Sequence, residues 1–454
     1  MAEQSGSVGP RQTLGPHLRL AIRPQPALFF LFTPQATIKV DDLPRPNTPF
    51  FPGGVIHKKS PMMDVFGALP WFLLRDILCR LPDLPTLHRL SQASPAVAKF
   101  LHHTNGVYTD IVEQIITHTD GQQGLNQKVQ FYLRTLVLIW WRASADDERN
   151  PLPTSFEDVV YFIGKSSPEG RPLPTGFGDN RLPRSTPPAA LDRLLDLYSR
   201  VRQMAHACFH EWIARCMRLM PERLKDPGAT FSRTRYHPRP QGVPLTPVDI
   251  GPPSWLEEQR LIRAFLRYYL FWELKEAVMT NVLPISPDNL DLHLLEKNEI
   301  QSFWCEAIST KIVRLRAHQG TQFQAVLAWI EKRQLAGSST IPPEFLYCCP
   351  TLTPLSPEQL LLTEDPHMQR IPGPVWLKKL DCSRSPLRNV DHAIFQRLGF
   401  EFWDEERMIA LGFVVPGSRR GMVSNRHQDE YDLWFRWSSI LTEEQYLSCI
   451  GQAD

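Results

Sequence analysis

The sequence predicts a mainly α protein: a short helical module near the amino end, a larger irregular helical body, and proline-rich joints. Three observations carry that prediction. Apolar residues recur at three- and four-residue spacing in stretch after stretch, the period of one helix face. Most of the 42 prolines fall in four segments, 1–63, 151–190, 221–253 and 342–374, and so lie between the periodic stretches rather than within them. Helix-start signatures follow the joints, as at Ser254-x-x-Glu257 and Thr442-x-x-Gln445.

Residues 1–63 carry prolines and glycines without a sustained period and are expected to be a disordered leader. From Ala68 to Leu101 the apolar pattern is dense. Leu69, Leu73, Ile77 and Leu81 repeat every four residues with Leu74 and Leu78 beside them, until Leu81-Pro82 interrupts. The pattern restarts at Leu84, Leu87, Leu90, Ser94 and Val97 as a second short helix. Helices this short do not close a core alone. The stretch is therefore either a hairpin packed on its own chain or a docking module whose leucines another protein buries.

The order Leu69-Pro70-x-x-Leu73-Leu74-x-x-Ile77-Leu78-x-x-Leu81-Pro82, followed by Leu84, Leu87, Leu90 and Ser94, resembles an F-box. Ser91-Gln92-Ala93-Ser94-Pro95-Ala96 stands where many F-boxes carry Cys-Arg-x-Trp, a variant similar to that of F-box-like proteins of filamentous fungi. The segments LYSRVRQMAHACFHEWIARCM and FWDEERMIALG look like parts of such fungal proteins as well. The resemblance implies a non-catalytic substrate receptor of an SCF-type ubiquitin ligase. It would bind the Skp adaptor, and through it a cullin, by burying Leu69, Pro70, Leu73, Leu74, Ile77, Leu78, Leu81 and Pro82, with Leu84, Leu87 and Leu90 completing the surface. The remainder would recruit a protein target that these residues do not specify.

Beyond 64–105, the body is expected over 106–340. Ile111–Ile116 continues the helical pattern, and Asn126–Ala143 has so many large apolar positions that it must be buried on several sides. Thr154-x-x-Glu157 reads as a capping box. Leu191–Met220 aligns Leu194, Tyr198, Val201, Ala205, Cys208, Trp212 and Cys216, and Pro221 closes it. Leu261–Leu274 is apolar almost all round and is expected to be the central helix. Ser286-Pro287 should open the next helices, Leu290–Ala317 and Phe323–Ile330. Residues 341–454 form a proline-rich linker, with a small helix start at Ser356-Pro357, and a C-terminal helical module.

Composition removes several function classes. The chain of 454 residues is 42% hydrophobic and 22% charged, an ordinary globular balance. With 50 basic and 48 acidic residues the net charge is +2, which gives nucleic acid little to hold. The longest apolar runs fall far short of the ~20 residues that cross a bilayer. Eight cysteines without C-x-x-C spacing suit reduced thiols in the cytoplasm or nucleus rather than a disulfide framework.

Sequence signs of catalysis are weak, and neither a cofactor nor a metal is expected. Gly164-Lys165-Ser166 resembles a P-loop tail, but Val159 stands where the loop needs glycine. His206 and His210 sit one turn apart, a spacing zinc uses, yet no third ligand accompanies them and they read as surface polar residues. Asp146-Asp147-Glu148-Arg149 and Asp404-Glu405-Glu406-Arg407 read as solvated helix-end charges. An enzyme with an unfamiliar site around Cys208 or Cys348 is the remaining rival to a binding protein.

Overall fold

The computed structural model describes residues 64–104, 106–118, 124–144, 155–162, 181–226, 228–229, 231, 241–305, 313–335, 380, 384–415 and 426–451. Of these, 66% are helical and 2% strand, so the mainly α class holds. The expected leader, the linker 342–374, Gly164-Lys165-Ser166, Asp146–Arg149, Thr154, Ser356-Pro357 and Cys348 lie outside the described residues.

The first described turn is a 3-10 helix, Val65–Ala68, capped by Asp64. Three short helices follow: α1 (Trp71–Cys79), α2 (Leu84–Ala93) and α3 (Pro95–His103). The expected second helix is in fact two. Ser94 is extended, its hydroxyl accepts from Val97 N–H, and Pro95 opens α3, so a proline the periodicity passed over starts a new helix. Asp64 ties the start of the module to its end, accepting from Ser94 Oγ at 2.7 Å and Ala96 N–H at 2.9 Å.

The body comprises α4 (Val107–Thr117), α5 (Gln127–Ser144), α6 (Phe156–Phe162), α7 (Pro188–Cys216), α8 (Trp255–Met279), α9 (Leu290–Glu296), α10 (Ile300–Cys305) and α11 (Val313–Leu335). Helix α8 is central: α5, α7 and α11 all pack on it. Its capping box forms as expected, with Ser254 Oγ accepting from Glu257 N–H and Glu257 accepting from Ser254 N–H. Helix α7 ends at Cys216, well before Pro221, so proline does not stop it. Helix α9 is capped by Asn289, whereas Ser286 N–H donates to Glu157. Between α7 and α8 a two-stranded antiparallel ribbon, β1 (Glu222–Leu224) and β2 (Gly242–Pro244), appears where only loop is expected. Three-residue strands are too short to show a period of two.

The C-terminal elements are α12 (Ala393–Gln396), α13 (Glu405–Ala410), α14 (Arg426–Ser439) and α15 (Glu443–Gly451), the last with its Thr442/Gln445 box formed. Boundaries drawn at 105 and 340 do not separate cores. One continuous apolar cluster runs from Leu74 through α7 and α8 to Cys449. Trp212 of α7 stacks on Phe402, ring centroids 5.1 Å apart, and meets Trp403 edge-on at 6.2 Å. Gly399 makes this packing possible. Its φ is +75°, and a Cβ there would come within 2.5 Å of Trp403 and 2.7 Å of Trp212. Gly399→Ala is expected to cost about 2–3 kcal/mol in a urea melt, from left-handed strain plus overpacking. A variant as stable as the parent would contradict this packing.

Candidate protein-interaction surface

Four consecutive apolar residues, Trp71-Phe72-Leu73-Leu74, open α1. Successive side chains turn by 100° around a helix, so four in a row cannot all face one core. The structure divides them. Leu74 and Leu78, one turn apart, are buried where α1 packs on α4. Leu73 and Ile77, one residue earlier in each turn, are 44% and 40% exposed. Trp71 and Phe72, edge-to-face at 6.1 Å, are 63% and 55% exposed. With Val65 beside them in sequence, no other described stretch of this length gathers as many large exposed apolar side chains. Arg75 reaches toward Asp110 at 3.6 Å, and Arg80 pairs with Asp76, so the apolar strip is flanked by neutralised charge.

The eleven residues expected to meet an adaptor therefore do not form one surface. Pro70, Leu73, Ile77 and Pro82 are exposed. Leu69, Leu81 and Leu90 are half-buried against the core. Leu74, Leu78, Leu84 and Leu87 face the chain's own interior and are no part of the exposed strip as the chain stands. They support the surface instead, because α2 packs on α7 and α1 on α4. Trp71, Phe72 and Val65 belong to the exposed strip and were not among the expected residues. The sequence signal for Trp71 and Phe72 was the unbroken apolar run, which a four-residue period does not score.

Charge fixes the module to the body. Asp83 caps α2 through Thr86 N–H at 2.8 Å and also receives a hydrogen bond from Arg202 of α7. Arg202 Nε donates to Glu258 of α8 at 2.7 Å, and the same carboxylate oxygen lies 2.7 Å from His206 Nε2. Burial alone raises the Glu258 pKa, but Arg202 and His206 outweigh it and hold the carboxyl down to about 2. His206 is thus a buried member of this network, not a surface residue, because α8 covers that side of α7.

A second network corrects the reading of Asp404–Arg407 as solvated. Arg407 is 2% exposed and donates to Glu257 at 2.9 Å, to Gly251 O and to Pro252 O. Asp404 pairs with Arg260 at 2.9 Å and receives Ser254 Oγ. The start of α8 buries these charges by folding against α13, a long-range contact that local charge patterning does not reveal.

Cys208 and His88 are not set up for bond chemistry. Cys208 is fully buried, and burial pushes its thiol well above the ordinary range, away from nucleophilic thiolate. His88 Nδ1 lies 3.1 Å from Ser199 Oγ, but its other nitrogen faces the Gln92 amide, so no carboxylate orients the ring. No group of three His, Cys, Asp or Glu side chains is placed to hold a metal among the described residues. No described helix is long and apolar enough to cross a membrane.

Compared with protein-family models, curated proteins and solved structures, the chain matches none of them. Fold and surface define a class: a mainly α chain that displays an apolar strip on a short helix braced by its own core.

Proposed function

We propose that this chain is the F-box-type substrate receptor of a Skp–cullin ubiquitin ligase, acting in the cytoplasm or nucleus without catalysing a step itself. The observation that carries the reading is the exposed strip of α1, which lies within the stretch whose Leu-Pro, paired-aliphatic and Leu-x-x-Leu order resembles an F-box. Leu73 and Ile77 are already more than half covered, so burying what remains of either releases about 1 kcal/mol, and several side chains of the strip act together as anchors. The receptor's contribution is proximity: holding a target beside the ubiquitin-conjugating enzyme replaces a bimolecular encounter by an intramolecular one. Free Cys79, Cys208, Cys216 and Cys449 suit a reducing compartment.

The test is capture of the Skp adaptor by the full chain. Leu73→Asp combined with Ile77→Asp is expected to weaken binding at least ~100-fold while leaving the melting temperature unchanged, because both side chains are exposed. Leu78→Asp is expected to lower the melting temperature as well, since it buries a charge. Leu74 is excluded from the binding test for that reason. Full adaptor binding by the Leu73/Ile77 variant would remove the proposal. The rival reading, a helical scaffold outside any ligase, draws on the burial of Leu74, Leu78, Leu84 and Leu87 by the chain itself. A parent chain that captures no adaptor would decide for it.

A further inference from the structure

Five Ser-Pro or Thr-Pro dipeptides fall among the described residues: Ser94-Pro95, Thr186-Pro187, Thr246-Pro247, Ser286-Pro287 and Ser385-Pro386. Folding withdraws three of their hydroxyl groups. Ser94, Thr186 and Ser385 are 3%, 5% and 1% exposed. Ser94 Oγ donates to Asp64 at 2.7 Å, Thr186 Oγ1 donates to Pro183 O at 2.6 Å, and Ser385 Oγ accepts from Leu387 N–H at 3.1 Å. Thr246 and Ser286 are left on the surface.

Ser286 differs from Thr246 in what stands beside it. It lies between α8 and α9, in a stretch, Pro284–Ser286, without regular structure, and the proline that follows disfavours helical backbone at Ser286 itself. Its hydroxyl makes no hydrogen bond among the described residues. Its backbone N–H donates to Glu157 Oε1 of α6 at 3.1 Å, and Asn289 Nδ2 donates to the same oxygen at 2.9 Å. One residue earlier, Phe156 N–H donates to Pro284 O at 2.9 Å. Three hydrogen bonds thus fasten the first turn of α6 to residues 284–289, and the buried Phe156 ring meets Phe303 edge-on at 6.4 Å. Burial alone raises the Glu157 pKa, but the Asn289 amide and the Ser286 N–H outweigh it and hold the carboxyl below its usual range. This clasp therefore carries a negative charge at neutral pH, bonded to the very residue whose hydroxyl is free.

We infer that Ser286 is a phosphorylation site for a proline-directed protein kinase, and that the phosphate unfastens α6 by repelling Glu157. In the transfer, Ser286 Oγ attacks the γ-phosphorus of ATP. The new O–P bond forms as the bond from that phosphorus to the β,γ-bridging oxygen breaks, ADP leaves, and the hydroxyl proton passes to a base of the kinase. Phosphoserine carries a charge of about −1.5 to −2 at pH 7, and next to a carboxylate it disrupts by like-charge repulsion. Thr246 has no hydrogen-bonded carboxylate among the described residues, so phosphate there leaves α6 in place. The inference is independent of the proposed ligase role, because Ser286 belongs to the body and the strip on α1 takes no part.

The experiment treats the full chain with a purified proline-directed kinase and magnesium ATP, the kinase first shown to be active on a Ser-Pro reference peptide. Peptide mapping by mass spectrometry separates Ser286 from the other Ser-Pro and Thr-Pro sites, and amide hydrogen exchange is read over 155–162 and over α7. Phosphate at Ser286 and ~10-fold faster exchange in α6 are expected, with the middle of α7 unaltered. Ser286→Ala, an exposed substitution, is expected to fold and to keep α6 slow under the same treatment. Glu157→Gln retains an oxygen for both donors without the charge, so phosphate on its Ser286 is expected to speed α6 exchange by less than ~2-fold. An active kinase that leaves Ser286 unmodified, or a phosphorylated chain whose α6 exchange is unchanged, would overturn the inference. So would an equal acceleration in Glu157→Gln.

Discussion

Arg407→Met is expected to destabilise the fold by about 3–5 kcal/mol, the cost of breaking a buried ion pair from one side. The partner left behind, Glu257, is 1% exposed and already strained toward protonation. Burial and the nearby Asp404 charge raise its pKa, and Arg407 is what opposes them. The guanidinium also satisfies the carbonyls of Gly251 and Pro252, which precede α8, and lies 4.7 Å from the ring of Phe209 on α7. One side chain thereby joins α7, the start of α8 and α13. Asp249→Asn is the comparison. Asp249 approaches the same arginine at 3.7 Å but is about half exposed, and its loss is expected to change stability by less than ~1 kcal/mol. Urea melts of the two variants check the contrast, and equal midpoints would show that Arg407 is not the clamp.

Glu401→Gln is expected to remove a pH dependence that the parent carries. Glu401 is 0% exposed, and neither carboxyl oxygen finds a hydrogen bond of good geometry among the described residues. Burial raises its pKa to about 8, offset only in part by its own backbone and the Gln396 side chain. In the unfolded chain the group titrates near 4.3. Between those values the folded state holds a proton that the unfolded state has released. Stability is therefore undiminished below about pH 4.3 and declines as pH rises toward 8, by ~1.4 kcal/mol per unit from this group. The advantage of glutamine over glutamate should grow by about 2 kcal/mol between pH 6 and pH 8, because the group is half ionised in the fold by pH 8. Denaturant midpoints at the two pH values read the difference directly. Parallel shifts in parent and variant would mean that Glu401 stays charged in the fold.

Some of the architecture was legible from local rules. Helices α5, α7 and α8 were found because long runs with a steady period or dense apolar content leave few alternatives. The capping boxes at Ser254 and Thr442 were found because both halves of each motif lie three residues apart. Sequence reading failed where a partner came from far along the chain. His206 looked like a surface residue until Glu258, 52 positions away, met it. The run Asp404–Arg407 looked solvated because Glu257, 150 positions from Arg407, does not show in a local charge pattern. The leucine-rich stretch 68–101 falls between these cases. Its first helix was readable and the split of the second at Pro95 was not, and the division of Leu73 and Ile77 from Leu74 and Leu78 depended on where α4 lies.

Periodicity and punctuation alone determined that this chain is helical, where α5, α7 and α8 run, and which short segment carries a four-residue leucine pattern, whereas α11 (Val313–Leu335) was divided between two expected helices. Only the tertiary structure decided which leucines are spent on the chain's own core and which charges are taken out of water. The physical reason is that a helix face is set by neighbours within one or two turns, whereas burial is set by whatever packs against it, and that neighbour is specified anywhere in the chain.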